Sequence, residues 1–478
     1  MLFREIYEDN LAQASYVVGC PESGEAFVVD PRRDIQTYLD LAEREELRIV
    51  AVTETHIHAD YLSGARELAA ATGATLYVSG CGGPGWEYAG LDGVKHTIIR
   101  DGSLLQFGNV RVQAVHTPGH TPEHLSFLVF DGVDAIEPML MLSGDFVFVG
   151  DVGRPDLLEQ AAGVVGSAES GARAMYRSLR EKFLTLPDFV QVWPGHGAGS
   201  SCGKALSAVP SSTVGYERRV AWWSPYLRKN DEDGFVRELL DGQPDAPTYF
   251  ARMKRLNRDG MPILRRLPTP AEMDAEALRA AVANGAFVID TRSDDDFASG
   301  HVAGAVNVPA AGDRFSSWSA WIAPENTPIV LVTRAGRVDD LVRRLVRVGL
   351  DDVVGWIAPD APGLSSERLT RANVDEVRTM WESGGATIFD VRNAGEYRLE
   401  HIPGATQLSA GRIVHRIDAV PRDRTVVVHC ASGSRASVAA SALAARGYAN
   451  VVCMTGGIHE WQQRGYPLES GREPAPTI

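Results

Sequence analysis

The chain is poor in cysteine: five thiols, at 20, 81, 202, 430 and 453, serve 478 residues. Their odd number and wide spacing exclude a disulfide framework and point to a reducing cytoplasm. No apolar run approaches the ~18 residues of a membrane span, so no membrane partner is expected. Bases are outnumbered, with 47 Lys and Arg against 62 Asp and Glu and a net charge of −15. Such a surface does not attract a phosphate backbone, and no nucleic-acid partner is expected. The opening MLFREIYEDN carries Glu5, Glu8 and Asp9 and reads as no secretory signal. Hydrophobic residues at 44% and charged ones at 23% exclude disorder, collagen and coiled coil as the main architecture. At ~100–200 residues per domain, the length predicts two to four domains.

What is present first is a repeat. VIDTR (288–292) returns as IFDVR (388–392), GHVAGAVNVP (300–309) as EHIPGATQLS (400–409), and PIVLVTRAGR (328–337) as TVVVHCASGS (425–434). A period of about 100 residues suits tandem domains better than a solenoid. Each copy mixes Val/Ile-rich strand candidates with helical stretches. The segment before the first copy is rich in Pro, Gly and charge and reads as a linker. The expected organisation is 1–245, a linker at 246–270, then 271–366 and 367–478.

The first 240 residues alternate strand and helix patterns, which predicts a layered α/β fold. Four apolar strands end in polar loops that carry chemistry. The first is followed by THIHADY (55–61), with His56, His58 and Asp60 before Tyr61. The second leads into HTPGHTPEH (116–124), with His120. The third ends in SGD, with Asp145, and the fourth in PGHG, with His196. Loops at strand ends bring distant side chains to one place. Imidazole and carboxylate together suit Zn, Fe or Mn. A single His beside Gly, such as His116 or His124, is more often a turn contact than a ligand; the whole set is not.

The order THxHAD, GHTP, SGD and PGHG resembles the metallo-β-lactamase superfamily, whose fold is an αββα sandwich. That pattern usually has a further His after the Asp, a ligand of the second metal in dinuclear members; here the residue is Tyr61. The persulfide dioxygenases of the superfamily hold one Fe(II) with two His and one Asp. The resemblance implies His56, His120 and Asp145 as ligands of one iron per chain. It leaves His58, Asp60, Tyr61 and His196 as the groups around them. Arg154, in GDFVFVGDVGRPDL (144–157), is a candidate for substrate binding or for loop bracing. Cys202, six residues past His196, is either an inert loop thiol or a group that binds or relays sulfur.

In the second copy, the strand TVVVH (425–429) runs into Cys430, ASGSR and a helical pattern. A loop curling into a helix start points N–H groups inward, lowering a thiol pKa and steadying a thiolate or persulfide. Ser432 and Gly433 let backbone approach a ligand, and Arg435 adds charge. DVR…HIPGA…CxSGxR resembles the rhodanese family of sulfurtransferases, whose persulfide-carrying cysteine matches Cys430. The first copy has Thr333 there; Thr cannot carry a persulfide, so that copy is expected to be inactive.

The fold expected is α/β throughout: a metallo-β-lactamase-like sandwich followed by two rhodanese-like domains. The resemblances imply an iron-dependent persulfide dioxygenase that oxidises a low-molecular-weight thiol persulfide with O₂ to sulfite. Joined to it is a sulfurtransferase able to form thiosulfate from that sulfite, and the expected role is sulfide detoxification. The alternative is a zinc hydrolase of the hydroxyacylglutathione type with accessory rhodanese domains. A homo-oligomer is compatible with the sequence, which carries no signal for oligomeric state.

Overall fold

The computed structural model describes residues 1–471 apart from 158, 160–165, 205 and 365. The last seven residues of the expected 367–478 domain, and Ser365 at the expected break between the repeats, lie outside the described residues. The chain forms two compact units: Met1–Leu267 with Val346–Gly349, and Pro268–Leu345 with Leu350–Ile478.

The first unit is a four-layer sandwich. One six-stranded sheet follows chain order: β1 Leu2–Glu8, β2 Gln13–Cys20, β3 Glu25–Val29, β4 Arg48–Thr53, β5 Thr75–Ser79 and β6 His96–Ile99. The other contains β7 Leu104–Phe107, β8 Val110–His116, β9 Leu125–Asp131, β10 Leu140–Gly144, β11 Gln191–Pro194 and β12 Ser212–Thr213. Alternation in β8 turns Val110, Val112 and Ala114 inward and leaves Arg111 and Gln113 half-buried, the period of a strand with one face on a core. The inner faces meet in one cluster, with Tyr16, Phe27 and Ala51 from the first sheet against Phe107, Phe127 and Leu142 from the second. Outside the first sheet lie the helices Gln36–Arg44 and Ala65–Thr72, packed through Tyr38, Leu41 and Leu68. Outside the second lies Ser167–Ser178, through Ala172, Met175 and Tyr176. Each sheet thus buries both faces, giving the αββα order.

The expected linker is overturned. Residues 250–259 form a helix inside the first unit. Phe250, Met253 and Asn257 recur at helical spacing and are buried. The Pro/Gly/charge composition that reads as linker belongs to the helix's outer face and its flanks. At the expected break, Ser366–Glu367 is a strand paired antiparallel with His301–Val302 of the first copy.

In the second unit the repeat is structural. The first copy's sheet runs Ala271–Glu272, Val353–Ile357, Ile329–Val332, Phe287–Asp290, Val306–Asn307. The second runs Arg371–Ala372, Val451–Met454, Thr425–His429, Ala386–Asp390, Thr406–Gln407. All pairings are parallel. The repeated Asp-x-Arg is the same device twice: Asp290 takes Arg292 and Asp390 takes Arg392 in forked ion pairs, each with a closest contact of 2.6 Å. The repeated His stacks on an aromatic four residues earlier, His301 on Phe297 and His401 on Tyr397, each at 3.8 Å.

Candidate active sites

The four strand ends converge in the first unit. His56 Nε2 lies 4.0 Å and His120 Nε2 3.5 Å from Asp145 Oδ2. One ligand atom from each of the three falls within 4.8 Å of the others, and all three residues are buried. Neither Asp145 oxygen accepts an N–H or O–H hydrogen bond among the described residues. A buried carboxylate left so costs several kcal/mol unless a cation pairs it. Nearby His196 and His120 outweigh burial and hold its pKa down, so it stays ionised. Burial and the surrounding imidazoles keep His56 well below the ordinary histidine range, as a neutral ring with a free lone pair. This donor set fits one divalent cation, with two neutral nitrogens and one anionic oxygen.

Surrounding groups aim the ligands. His120 donates from Nδ1 to the Arg154 carbonyl at 2.9 Å, which turns Nε2 to the cluster. The His56 Nδ1 meets Thr55 Oγ1 at 3.0 Å. The Asp145 backbone N–H donates to His124 Nε2 at 3.0 Å, while His124 Nδ1 meets Thr117 Oγ1 at 2.9 Å. Burial pushes His124 down to about 3, so it accepts as a neutral ring. Two motif glycines are fixed by close approach: a Cβ on Gly144 would lie 2.7 Å from His124 Nε2, and one on Gly195 2.7 Å from Asp145 Oδ1.

The other predicted residues are nearby in distinct roles. His58 gives Nε2 to Asp30 at 2.9 Å. Burial alone would lower its pKa, but the Asp30 charge carries it to about 9. Tyr61 is fully buried, packs 4.5 Å from the His58 ring and donates to the Asp30 carbonyl. It braces His58 and points its oxygen at backbone. Asp60, His196 and Cys202 form a second buried group with ligand atoms within 4.8 Å of one another. His196 Nε2 is 3.3 Å from Asp60 Oδ2 and 3.5 Å from Asp145 Oδ1. The Cys202 loop therefore does return to the site, and burial, then Asp145 and Asp60, push its thiol well up, keeping it protonated.

Of the two readings of Arg154, substrate binding and loop bracing, its contacts fit the second. It is fully buried; its guanidinium grips Asp156 at 2.6 and 2.9 Å and donates to the Ser201 carbonyl, and its own N–H donates to the Cys202 carbonyl. Arg154→Ala is expected to lower stability by about 3–5 kcal/mol, because the buried Asp156 loses its forked ion pair. The urea midpoint of the full chain measures this.

Residues missed in the sequence are Asp30, His124 and the helix 250–259. Asp30 ends a strand before Pro31, the same strand-exit signal that marks Asp145. His124 was set aside with single histidines. From the helix, Asn257 Nδ2 donates to the carbonyls of His58 and Tyr61, at 2.7 Å each, and Tyr249 OH donates to that of Asp60 at 3.1 Å. It clamps the THIHADY loop from outside.

In the second unit Cys430 is buried at the end of Thr425–His429, before the helix Ser434–Ala444. The Gly433 N–H donates to its Sγ at 3.1 Å. Gly433 holds φ 122, a value that favours glycine. Above it is a small cleft lined by Ser432, Gly433, Arg371, Cys453 and, from the first copy, Asp294. Burial, then Cys430, pushes the Cys453 thiol up to about 12. Arg435 is gripped by Glu396 at 2.7 and 2.8 Å, so its charge reaches the thiol already shared. Thr333, at the first copy's matching position, is buried and precedes a 3₁₀ turn, Ala335–Arg337.

A four-layer αββα sandwich with buried His and Asp side chains gathered at its strand ends defines an enzyme fold of the metallo-β-lactamase type with a candidate metal-binding group. Residues 9–196 match the metallo-beta-lactamase superfamily, and 274–357 and 373–464 the rhodanese-like domain. A hydroxyacylglutathione hydrolase of Polaromonas sp. is 32% identical over 270 residues, covering 51% of this chain and 93% of the relative. The mitochondrial persulfide dioxygenase ETHE1 of Bos taurus is 29% identical over 201 residues, covering 41% of this chain and 68% of the relative. A crystal structure of a metallo-beta-lactamase from Staphylococcus aureus superposes with a TM-score of 0.68 at 39% identity, covering 75% of this chain and 99% of that one. The chain belongs to the metallo-beta-lactamase superfamily, with two rhodanese-like domains following that fold.

Proposed function

We propose that the chain is an iron-dependent persulfide dioxygenase fused to a sulfurtransferase. The observation that carries the reading is the single two-His, one-carboxylate set, His56, His120 and Asp145, beside a position 61 that is Tyr. The likeness to ETHE1 supports it. Bound there, Fe(II) would supply the redox chemistry that lets O₂ react with a sulfur anion and leave positions open for both. The protein's part is to hold the ligands and dry the site. Asp145 keeps its charge, His56 and His120 stay neutral, and His124, Thr55 and the Arg154 carbonyl fix their directions. The reaction takes RSSH, O₂ and water to RSH and sulfurous acid, which ionises to sulfite.

Cys430 then performs the transfer. Its thiolate attacks the outer sulfur of a persulfide, RS⁻ leaves, and the Gly433 N–H steadies the charged sulfur. Sulfite attacks the Cys430 persulfide and departs as thiosulfate, restoring the thiolate. Fusion raises the local concentration of the shared intermediate. Cys202 stands as a thiol beside the iron site, suited to meet the same persulfide. The chemistry disposes of sulfide-derived sulfur, and a cytoplasmic setting suits unpaired thiols.

The hydrolase reading has two observations in its favour, the second group of Asp60, His196 and Cys202 and the likeness to a hydroxyacylglutathione hydrolase. Against it, Tyr61 aims its oxygen at backbone and His58 is committed to Asp30. The test is oxygen-electrode uptake with glutathione persulfide set against hydrolysis of S-lactoylglutathione. Persulfide-dependent uptake with no thioester cleavage is expected; the reverse overturns the reading. Replacing Cys202 with Ser is expected to leave the metal bound, since Cys202 lies outside the ligand set. Metal loss on that change, read by elemental analysis, would place it among the ligands.

A further inference from the structure

A cleft of about 150 Å³ opens beside His120. Its floor is apolar, with Ile57, Ala59 and Leu157. Its outer wall is one face of the helix 250–259: Phe250 and Ala251, then Lys254, Arg255 and Arg258. These positions recur at four-residue steps, so they form one stripe. Among the described residues lining the cleft there are three cations and no carboxylate. The nearby anions serve other groups as well. Glu123, facing Lys254, accepts the Ile57 N–H at 2.8 Å, and Asp259 holds Arg258 at 2.7 Å. Lys254 also sits 3.4 Å over the Trp86 ring, which fixes its ammonium at the wall.

We propose that this helix face selects the carrier thiol by charge: the cleft takes the organic half of an anionic thiol persulfide, with Lys254, Arg255 and Arg258 reading its carboxylates or phosphates. The inference rests on the persulfide dioxygenase reading and deepens it. The apolar floor of Ile57 and Leu157, with Phe250, suits the sulfur-bearing chain, and the anionic ends meet the mouth, where Arg255 is exposed and Arg258 half-buried. A neutral thiol finds the floor but not the wall, and a cationic thiol is repelled by it.

The test compares KM for glutathione persulfide, coenzyme A persulfide and the neutral 2-mercaptoethanol persulfide in the metal-loaded full chain. In Arg255→Glu/Arg258→Glu, the ratio of KM for an anionic persulfide to KM for the neutral one is expected to rise by at least ~10-fold, as reversed rim charges repel the substrate. Reversal of Lys229, exposed and outside the cleft lining, leaves the ratio unaltered. A rise with glutathione persulfide alone identifies carboxylate as the anion read, and one with coenzyme A persulfide alone identifies phosphate. An unchanged ratio for both overturns the proposal. Should the double variant misfold, Arg255→Ala gives the same ratio test with a smaller rise. Calorimetric binding of the inert S-methylglutathione, lost in the variant and kept in the parent, reads the cleft without turnover. If the parent takes up no O₂ with any persulfide, the dioxygenase reading fails; if that uptake is present without charge discrimination, only the selector fails.

Discussion

Replacing Asp145 with Ala is expected to abolish persulfide-dependent O₂ uptake and to release the metal, while sulfur transfer to cyanide continues. The argument is electrostatic. Asp145 supplies the one anionic oxygen of the set, and its two oxygens have no competing N–H or O–H donor among the described residues. Loss of partners that merely orient a ligand typically costs 10–100-fold in metal affinity or activity. Loss of the charged ligand should exceed that, to at least ~100-fold. Asp145→Asn keeps the shape and removes the charge, so it should fall nearly as far. Metal content by elemental analysis and O₂ uptake are read together. An Asp145→Ala protein with full metal and full uptake would remove Asp145 from the site.

Cys430→Ser should give the complementary result. Sulfur transfer from thiosulfate to cyanide drops to background, because a hydroxyl neither ionises near neutral pH nor forms a persulfide. O₂ uptake persists, since the ligands His56, His120 and Asp145 belong to the other unit. The product of persulfide oxidation shifts from thiosulfate to sulfite. Product analysis by ion chromatography reads the shift directly. Thr333 offers no rescue: it is buried, and its hydroxyl carries no persulfide. Thiosulfate formed at the parental rate by Cys430→Ser would move the transfer elsewhere.

Much of this was legible in the sequence, for a physical reason. Side chains at strand ends carry a local signal, an apolar run broken by His, Asp or Gly, and four such breaks marked His56, His120, Asp145 and His196, which the fold brings together. The repeat was legible because Asp-x-Arg and the stacked His do the same work in each copy. Roles set by three-dimensional pairing were not. Arg154 stays divided between substrate binding and loop bracing until its pairing with Asp156 is seen, and the partner of Arg435, Glu396, shows no signal in sequence. His124 looked like any His near Gly and Pro, yet it receives the Asp145 N–H. The helix 250–259 hid because its buried face holds just two hydrophobic residues, Phe250 and Met253, with Arg252 and Asn257, among many charges. A composition average erases such a stripe; helical spacing preserves it.

The central claim is one iron at His56, His120 and Asp145 working on a persulfide with O₂. The most direct measurement is metal content and O₂ stoichiometry on the same preparation of Cys430→Ser, where sulfite cannot pass on to thiosulfate. The account predicts close to one iron per chain and one O₂ consumed per sulfite released from glutathione persulfide. Two zinc ions per chain, with no O₂ uptake on any persulfide and ready cleavage of S-lactoylglutathione, would contradict it.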